Sequence, residues 1–159
     1  MAKRPNQRLK LLYLAKIMLR LTDDEHGLQV EQIINELAKY DIAAERKSIY
    51  SDLEALQLFG IDIEKKHIGR YVYYCVGNRN LELAELKLLV DAVQSSKFIT
   101  EKKTNALIKK LEMLVSKYDA QKLQRQVYVS GRIKTMNESI YYTVDTIHNA
   151  ISENKKIKF

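Results

Sequence analysis

The sequence predicts a mostly α-helical fold that contains one small β-hairpin. Apolar residues recur every three or four positions over most of the 159 residues, as on the buried face of a helix. The spacing changes to alternation every second residue between positions 61 and 76, and the helical spacing returns from Leu81 onward. Because 46% of the residues are hydrophobic and 30% are charged, the composition is that of a globular chain and not of a disordered one.

Three helices are predicted before the hairpin, over residues 7–21, 29–40 and 45–58. Pro5 stands just before the first helix, a position that proline favours. Gly60 suits the C-terminal end of the third, where the backbone often turns left-handed. A very short strand is expected at Leu28, between the first two helices.

The segment "IDIEKKHIGRYVYYCV" predicts the hairpin. Its residues alternate in character and are rich in β-branched and aromatic types. Gly69 can adopt the positive φ that a hairpin turn requires. We therefore expect two antiparallel strands, with residues 64–74 forming a projecting ribbon.

Helical spacing returns after the hairpin. We expect a helix from about Leu81 to Ser96, a second helix that Thr100 caps and that extends to Tyr118, and a last helix over residues 139–153. These helices carry more leucine than one face of a lone domain requires. The sequence thus predicts a helical connector that also forms a homodimer, through residues 81–118 or through the last helix. The predicted regions are 1–79, which holds the first three helices and the hairpin, 80–137, the helical connector, and 138–159, the last helix followed by the start of a strand in the tail "KKIKF".

The charge and the single cysteine limit the kinds of function that we expect for this chain. The net charge of +7 favours an anionic partner, but residues 1–79 contribute only +2, so the position of each cation matters more than the total. Cys75 is the single cysteine and is expected to be a buried, unreactive thiol. The three histidines are scattered, and no apolar run approaches the roughly 20 residues of a membrane span. We expect a cytoplasmic protein that is not an enzyme and has no catalytic residue, metal or cofactor.

The third helix has an unusual outward face. Ile49, Leu53 and Leu56 form a narrow apolar stripe, which leaves the opposite side free to enter a DNA major groove about 12 Å wide. Three helices with a tight turn between the second and third, followed by a ribbon, are the layout of a winged helix-turn-helix. We therefore predict sequence-specific binding of double-stranded DNA, with helix 45–58 in the major groove and the 64–74 wing on the backbone. The candidate recognition-helix residues are Arg46, Lys47, Ser48, Tyr50 and Ser51. The candidate wing residues are Lys65, Lys66, His67 and Arg70, and the candidate N-terminal arm residues are Lys3, Arg4 and Arg8.

The run "RKSIYSDLEALQLFGIDIEKK", followed by "GRYVYYCV", resembles the N-terminal winged helix of bacterial WYL-domain transcriptional regulators. The later "ESIYYTVDTIHNAISENKKIKF" resembles the start of their WYL domain. The resemblance implies a transcriptional regulator, and it implies a structural role for Asp52. Because this chain has Lys47, Ser48 and Ser51 where the family often has Arg or Thr, base preference does not carry over. Most of the implied WYL domain would follow Phe159, so we expect the sequence to be a fragment.

Two other functions fit the same sequence. A winged helix can serve as a protein–protein adaptor within a larger assembly. Alternatively, Tyr71, Tyr73 and Tyr74 could stack on the bases of single-stranded nucleic acid or RNA. These tyrosines could instead pack the ribbon on the helices.

Overall fold

The computed structural model describes residues 6–126, 134–137 and 139–158, and these residues are mostly helical with a small antiparallel hairpin. A 3₁₀ turn over Gln7–Leu9 leads directly into the first helix. The helices are α1 Lys10–Leu21, α2 Val30–Ala38, α3 Arg46–Phe59, α4 Leu83–Ser95, α5 Glu101–Glu112, α6 Lys117–Gln126 and α7 Ser139–Ser152. The strands are β1 Ile63–Ile68 and β2 Tyr71–Val76. Among the described residues, no helix is long and apolar enough to cross a membrane.

The first three helices and the hairpin share one hydrophobic cluster. Each helix buries a stripe of apolar positions at helical spacing, because those positions fall on the side that faces the other elements. Ile63 and Val76 are the buried residues that the hairpin contributes. The buried residues of this cluster are Leu14, Ile17, Met18, Val30, Ile33, Leu37, Ile42, Ile49, Leu53, Leu56, Ile63 and Val76.

The hairpin pairs β1 with β2 in antiparallel register, with Ile63 opposite Val76 and Ile68 opposite Tyr71. Gly69 turns the chain with a φ of 60°, as the sequence predicted. Leu28 forms a single antiparallel bridge with Tyr74, and this bridge is the short strand expected there. The bridge joins the hairpin to the loop between α1 and α2.

Helices α4, α5 and α6 enclose a second cluster, in which Leu86, Val90, Ile108 and Leu123 are buried. Thr100 caps α5 as predicted, since its side chain accepts a hydrogen bond from the Lys103 N–H at 3.2 Å.

One predicted boundary is wrong. The sequence predicted a single helix from Thr100 to Tyr118, whereas α5 ends at Glu112 and α6 begins at Lys117. The Ser116 hydroxyl oxygen accepts a hydrogen bond from the Asp119 N–H at 3.1 Å, which is the geometry of a helix N-cap. Helix α7 matches its predicted range to within one residue at its end. The strand predicted after it is wrong over residues 155–158, which form no strand, because a strand needs a hydrogen-bonded neighbour and only β1 and β2 pair in a sheet among the described residues.

A set of polar side chains joins the two clusters, and we call it the polar junction: Arg20, Asp23, His26, Arg79, Ser116 and Tyr118. Asp23 is buried and accepts hydrogen bonds from the Ser116 hydroxyl at 2.6 Å and from the His26 backbone N–H at 2.8 Å. The His26 ring stacks on Tyr118 with their centroids 3.6 Å apart. These contacts connect the loop after α1 to the start of α6.

Two arginines of the polar junction donate hydrogen bonds to backbone carbonyls at the C-terminal ends of helices. Arg20 donates to the carbonyls of Glu112 and Val115 at 3.0 and 3.1 Å, at the C-terminus of α5. Arg79 donates to the carbonyls of Leu19 and Thr22 at the C-terminus of α1. The last carbonyls of a helix lack partners within the helix, and a cation there also meets the negative end of the helix dipole.

Candidate nucleic-acid interface

Helix α3 lies on the first cluster along a narrow edge. Ile49, Leu53 and Leu56 are buried, as the sequence predicted, and they anchor the whole length of the helix. Gly60 ends the helix in the left-handed conformation, with a φ of 106°. Lys47 and Ser51 are exposed on the other side, so the helix presents polar groups to solvent along the face that the sequence assigned to DNA.

A bridge from α1 holds the N-terminal half of α3. The Lys10 side chain is only 12% exposed, and it forms an ion pair with Asp52. The Lys10 ammonium group also donates to the Ser48 hydroxyl oxygen at 2.6 Å. Asp52 therefore has a structural contact, in keeping with the role that the resemblance implied.

The Ser48 hydroxyl is already engaged within the protein. It donates to the Glu45 carbonyl at 3.0 Å while accepting from Lys10. A serine hydroxyl carries one hydrogen, so in this arrangement Ser48 has none left to donate to a phosphate. Its contacts fix the first turn of α3 on α1.

Tyr50 differs from the outward position that the helical wheel indicated. Its ring is half-buried, packs against the first cluster and lies 6.3 Å from the Tyr74 ring, centroid to centroid. The reason is helical geometry, because Tyr50 follows Ile49 and precedes Leu53 by three positions, which places its ring at the border of the buried stripe. Its hydroxyl oxygen accepts a hydrogen bond from Arg46.

Arg46 is the first residue of α3 and stands clear of the core, with its side chain 65% exposed. Its Nε–H donates to the Tyr50 hydroxyl oxygen at 3.0 Å. Its Nη1 atom lies 3.7 Å from a Glu31 carboxylate oxygen at the start of α2. The hydrogen bond with Tyr50 raises the pKa of Arg46. The guanidinium is a permanent cation in any case, as arginine is throughout proteins.

The hairpin presents most of the predicted wing cations. Lys65, His67 and Arg70 are exposed. Arg70 donates to the Tyr71 hydroxyl at 2.9 Å and lies over the Tyr71 ring, so it is held near the tip. Lys66 points elsewhere: its ammonium donates to the Asp24 carbonyl at 2.7 Å and lies 3.3 Å from Glu64. Lys66 therefore fastens β1 to the loop after α1.

A groove of ≈ 670 Å³ separates α3 from the hairpin. Arg46, Tyr50 and Glu54 line one wall, and Lys65, Arg70 and Tyr71 line the other. The recognition-helix and wing candidates thus meet along one surface. The groove was not predicted from the sequence, because its two walls come from segments that are separated along the chain.

The N-terminal turn lies beside the loop that enters α3. The Asn6 side chain donates to the Tyr40 carbonyl at 2.9 Å, and the Gln7 side chain donates to the Ala43 carbonyl at 3.1 Å. Arg8 is exposed on this turn. The other two arm candidates, Lys3 and Arg4, lie outside the described residues. Asn6 and Gln7 were missed by sequence reasoning, since an amide in a basic segment gives no distinctive pattern.

Two further expectations concern the hairpin interior. Cys75 is fully buried and burial raises its pKa, as expected for an unreactive thiol. Tyr73 and Tyr74 are half-buried, and Tyr74 packs against the first cluster, whereas Tyr71 is exposed. Two of the three tyrosines that could stack on single-stranded bases are therefore at least partly occupied in packing.

The chain matches no protein-family model, no curated protein and no solved structure. The resemblance to WYL-domain regulators accordingly remains a prediction from the sequence, and the functional argument rests on the geometry of α3 and the hairpin.

Proposed function

We propose that the chain is a sequence-specific, double-stranded DNA-binding protein of the winged helix-turn-helix type, and a cytoplasmic bacterial transcriptional regulator related to the WYL-domain family. Helix α3 enters the major groove and the hairpin lies on the adjacent backbone. The observation that carries the proposal is the position of α3, which is buried along Ile49, Leu53 and Leu56 and exposed at Lys47 and Ser51 beside a cationic hairpin.

The dimensions and charges of α3 support this docking. Its 14 residues give a rod about 21 Å long at 1.5 Å per residue, long enough to follow a major groove over several base pairs. Its first turn contains no acidic residue and begins with Arg46 and Lys47. The positive end of the helix dipole lies at the same turn, which favours the approach of polyanionic DNA.

The side chains divide into two roles under this proposal. Lys47 and Ser51 face the bases, while Lys65, Arg70 and Arg8 contact phosphates on either side. A second copy, joined through residues 81–118 or through α7, would place a second α3 one or more helical turns away on a two-fold site.

The decisive experiment is a fluorescence anisotropy titration of the purified chain with random duplex, single-stranded DNA and RNA at two salt concentrations. We expect the duplex to bind most tightly, and each phosphate contact to add about 0.9 to the slope of log affinity against log salt. Absence of duplex binding at low salt would favour the protein–protein adaptor, and preference for the single strand would favour stacking on Tyr71.

Matched variants then test the division of roles on a site selected from a random duplex library. Lys47→Ala should lower affinity for the selected site roughly 5- to 150-fold and relax its sequence preference. Lys65→Ala should weaken all duplexes alike and reduce the salt slope by about 1. Lys109→Ala removes the same charge from the exposed side of α5 and should change neither quantity.

A further inference from the structure

Arg46 and Tyr50 form an oriented pair on the surface of α3. They are four residues apart, so their side chains lie on the same face of the helix. The bond between the Arg46 Nε–H and the Tyr50 hydroxyl oxygen is 3.0 Å long. It uses one of the five N–H donors of the guanidinium and leaves the four donors on Nη1 and Nη2.

Tyr50 is a fixed acceptor because its ring is partly buried. The ring packs against the first cluster and lies near Tyr74, which restricts its rotation. An arginine on a helix surface ordinarily samples many rotamers and loses that freedom when it binds. The tyrosine hydroxyl holds the guanidinium plane before any ligand arrives, which lowers this entropic cost.

The chemistry of the remaining donors matches guanine. In the major groove, guanine presents two neighbouring acceptors, N7 and O6, and a planar guanidinium can donate to both at once. A phosphate also accepts from such a fork, but the Glu31 carboxylate lies 3.7 Å from Nη1, and Glu54 lines the same groove. These two carboxylates repel a phosphate and oppose a neutral base edge much less.

We infer that Arg46 is a specificity-determining residue that recognises a guanine in the major groove, and that Tyr50 is the positioning residue that orients its guanidinium. The inference rests on the proposed function and adds a requirement for one guanine in each bound half-site. Lys47 lies two positions before Ile49, the nearest residue of the buried stripe. It has no orienting hydrogen bond among the described residues, and it contacts a different base pair from Arg46.

The experiment uses a duplex selected by the wild-type chain and a series in which each guanine in turn is replaced by 7-deazaguanine. This analogue lacks the N7 acceptor and leaves every phosphate in place. We expect one guanine position in each half-site at which the replacement weakens wild-type binding roughly 5- to 150-fold. Arg46→Ala should weaken binding to the unmodified duplex by a similar factor and should be insensitive to the replacement at that position.

Two conservative variants test the roles of the pair. Arg46→Lys retains the charge but not the planar fork or the Nε–H that Tyr50 accepts, so it should bind random duplex like the wild type and show a smaller analogue effect. Tyr50→Phe retains the ring and removes only the hydroxyl, so it should keep the thermal stability and the random-duplex affinity while reducing discrimination at the same position several-fold.

The outcomes separate the inference from the proposed function. If the wild type binds duplex but Arg46→Ala keeps the full analogue effect, the inference is overturned and the proposed function stands. Uniform weakening of all duplexes by Arg46→Ala would show a phosphate contact and would also overturn it. If Tyr50→Phe discriminates like the wild type, the positioning role is wrong, and if the wild type binds no duplex, both proposals fail.

Discussion

Replacing Asp23 is the most direct test of how much the polar junction contributes to the free energy of unfolding. It is only 6% exposed, and it accepts hydrogen bonds from Ser116, from the His26 ring and from the backbone N–H groups of Glu25 and His26. In Asp23→Ala, the fully buried Ser116 hydroxyl loses its acceptor, while water can reach the half-buried His26. Since an unsatisfied buried polar group costs about 1–3 kcal/mol, we expect a total loss of about 3 kcal/mol in the free energy of unfolding.

The stabilisation by Asp23 should depend on pH. Burial alone raises the pKa of the carboxyl, but the hydrogen bonds from Ser116 and His26 outweigh it, and the net pKa is lowered in the folded chain. A lowered pKa means that the contribution is present above the unfolded value of about 3.9 and is lost as the pH falls through the folded value. The difference between the wild type and Asp23→Asn should therefore be largest near neutral pH and shrink below about pH 4.

Urea denaturation of the wild type, Asp23→Ala and Asp23→Asn at several pH values between 3 and 7 measures both effects. Asp24→Asn is the matched control, because this neighbouring carboxylate is exposed and its loss should cost less than about 0.5 kcal/mol. A loss under 1 kcal/mol for Asp23→Ala, or a wild-type advantage over Asp23→Asn that does not change with pH, would refute the reasoning.

Three further substitutions test the elements that position α3 and α5, each by urea denaturation at neutral pH. Leu53→Ala removes a buried side chain under α3 and should cost about 2–5 kcal/mol, whereas Leu58→Ala, at a side chain 91% exposed, should change stability by less than about 0.5 kcal/mol. Gly60→Ala places a Cβ where no atom lies within 4 Å, so its expected cost of about 1–2 kcal/mol comes from the left-handed backbone alone, and a neutral result would contradict that conformation. Thr100→Ala removes the cap of α5 and should cost about 1 kcal/mol, while Thr100→Ser should retain most of it.

The sequence was sufficient to predict the elements around α3. Its apolar stripe recurs at helical spacing, and Gly60 and Gly69 mark a helix end and a turn that favour glycine. These signals are local, since each depends on a few consecutive residues. The burial of Ile49, Leu53 and Leu56 followed directly from them.

The break between α5 and α6 could not be predicted in the same way. Leu107, Leu111, Leu114 and Tyr118 continue a helical spacing across the break, so periodicity predicts one uninterrupted helix. The break depends on Ser116, which caps α6 and donates to Asp23, a residue 93 positions earlier in the chain. A contact of that range leaves no local pattern.

Long-range contacts in the candidate site were likewise not predictable from local sequence patterns. Exposure of Lys47 and Ser51 followed from the wheel, and the wheel also places Tyr50 at the border of the buried stripe. The engagement of Ser48, however, depends on Lys10, which is far away along the chain. Likewise, Lys66 was assigned with the wing cations by composition, although its contacts with Asp24 and Glu64 tie it to the loop. Sequence reasoning predicted which positions of α3 are exposed and could not assign the partners of the side chains around them.

The polar junction determines how the two clusters are oriented. Hydrogen bonds are directional, whereas apolar contact tolerates sliding. The bonds of Arg20 therefore restrict the angle between α1 and the α5–α6 connection, and those of Arg79 hold the segment after β2 on the C-terminus of α1. Burial lowers the pKa of Arg79, while Asp119 and Asp23 oppose that shift. Because α3 is fixed on α1 through Lys10, the same contacts carry that orientation to α3. Any pairing of two chains through the later helices would then set the spacing between their α3 helices.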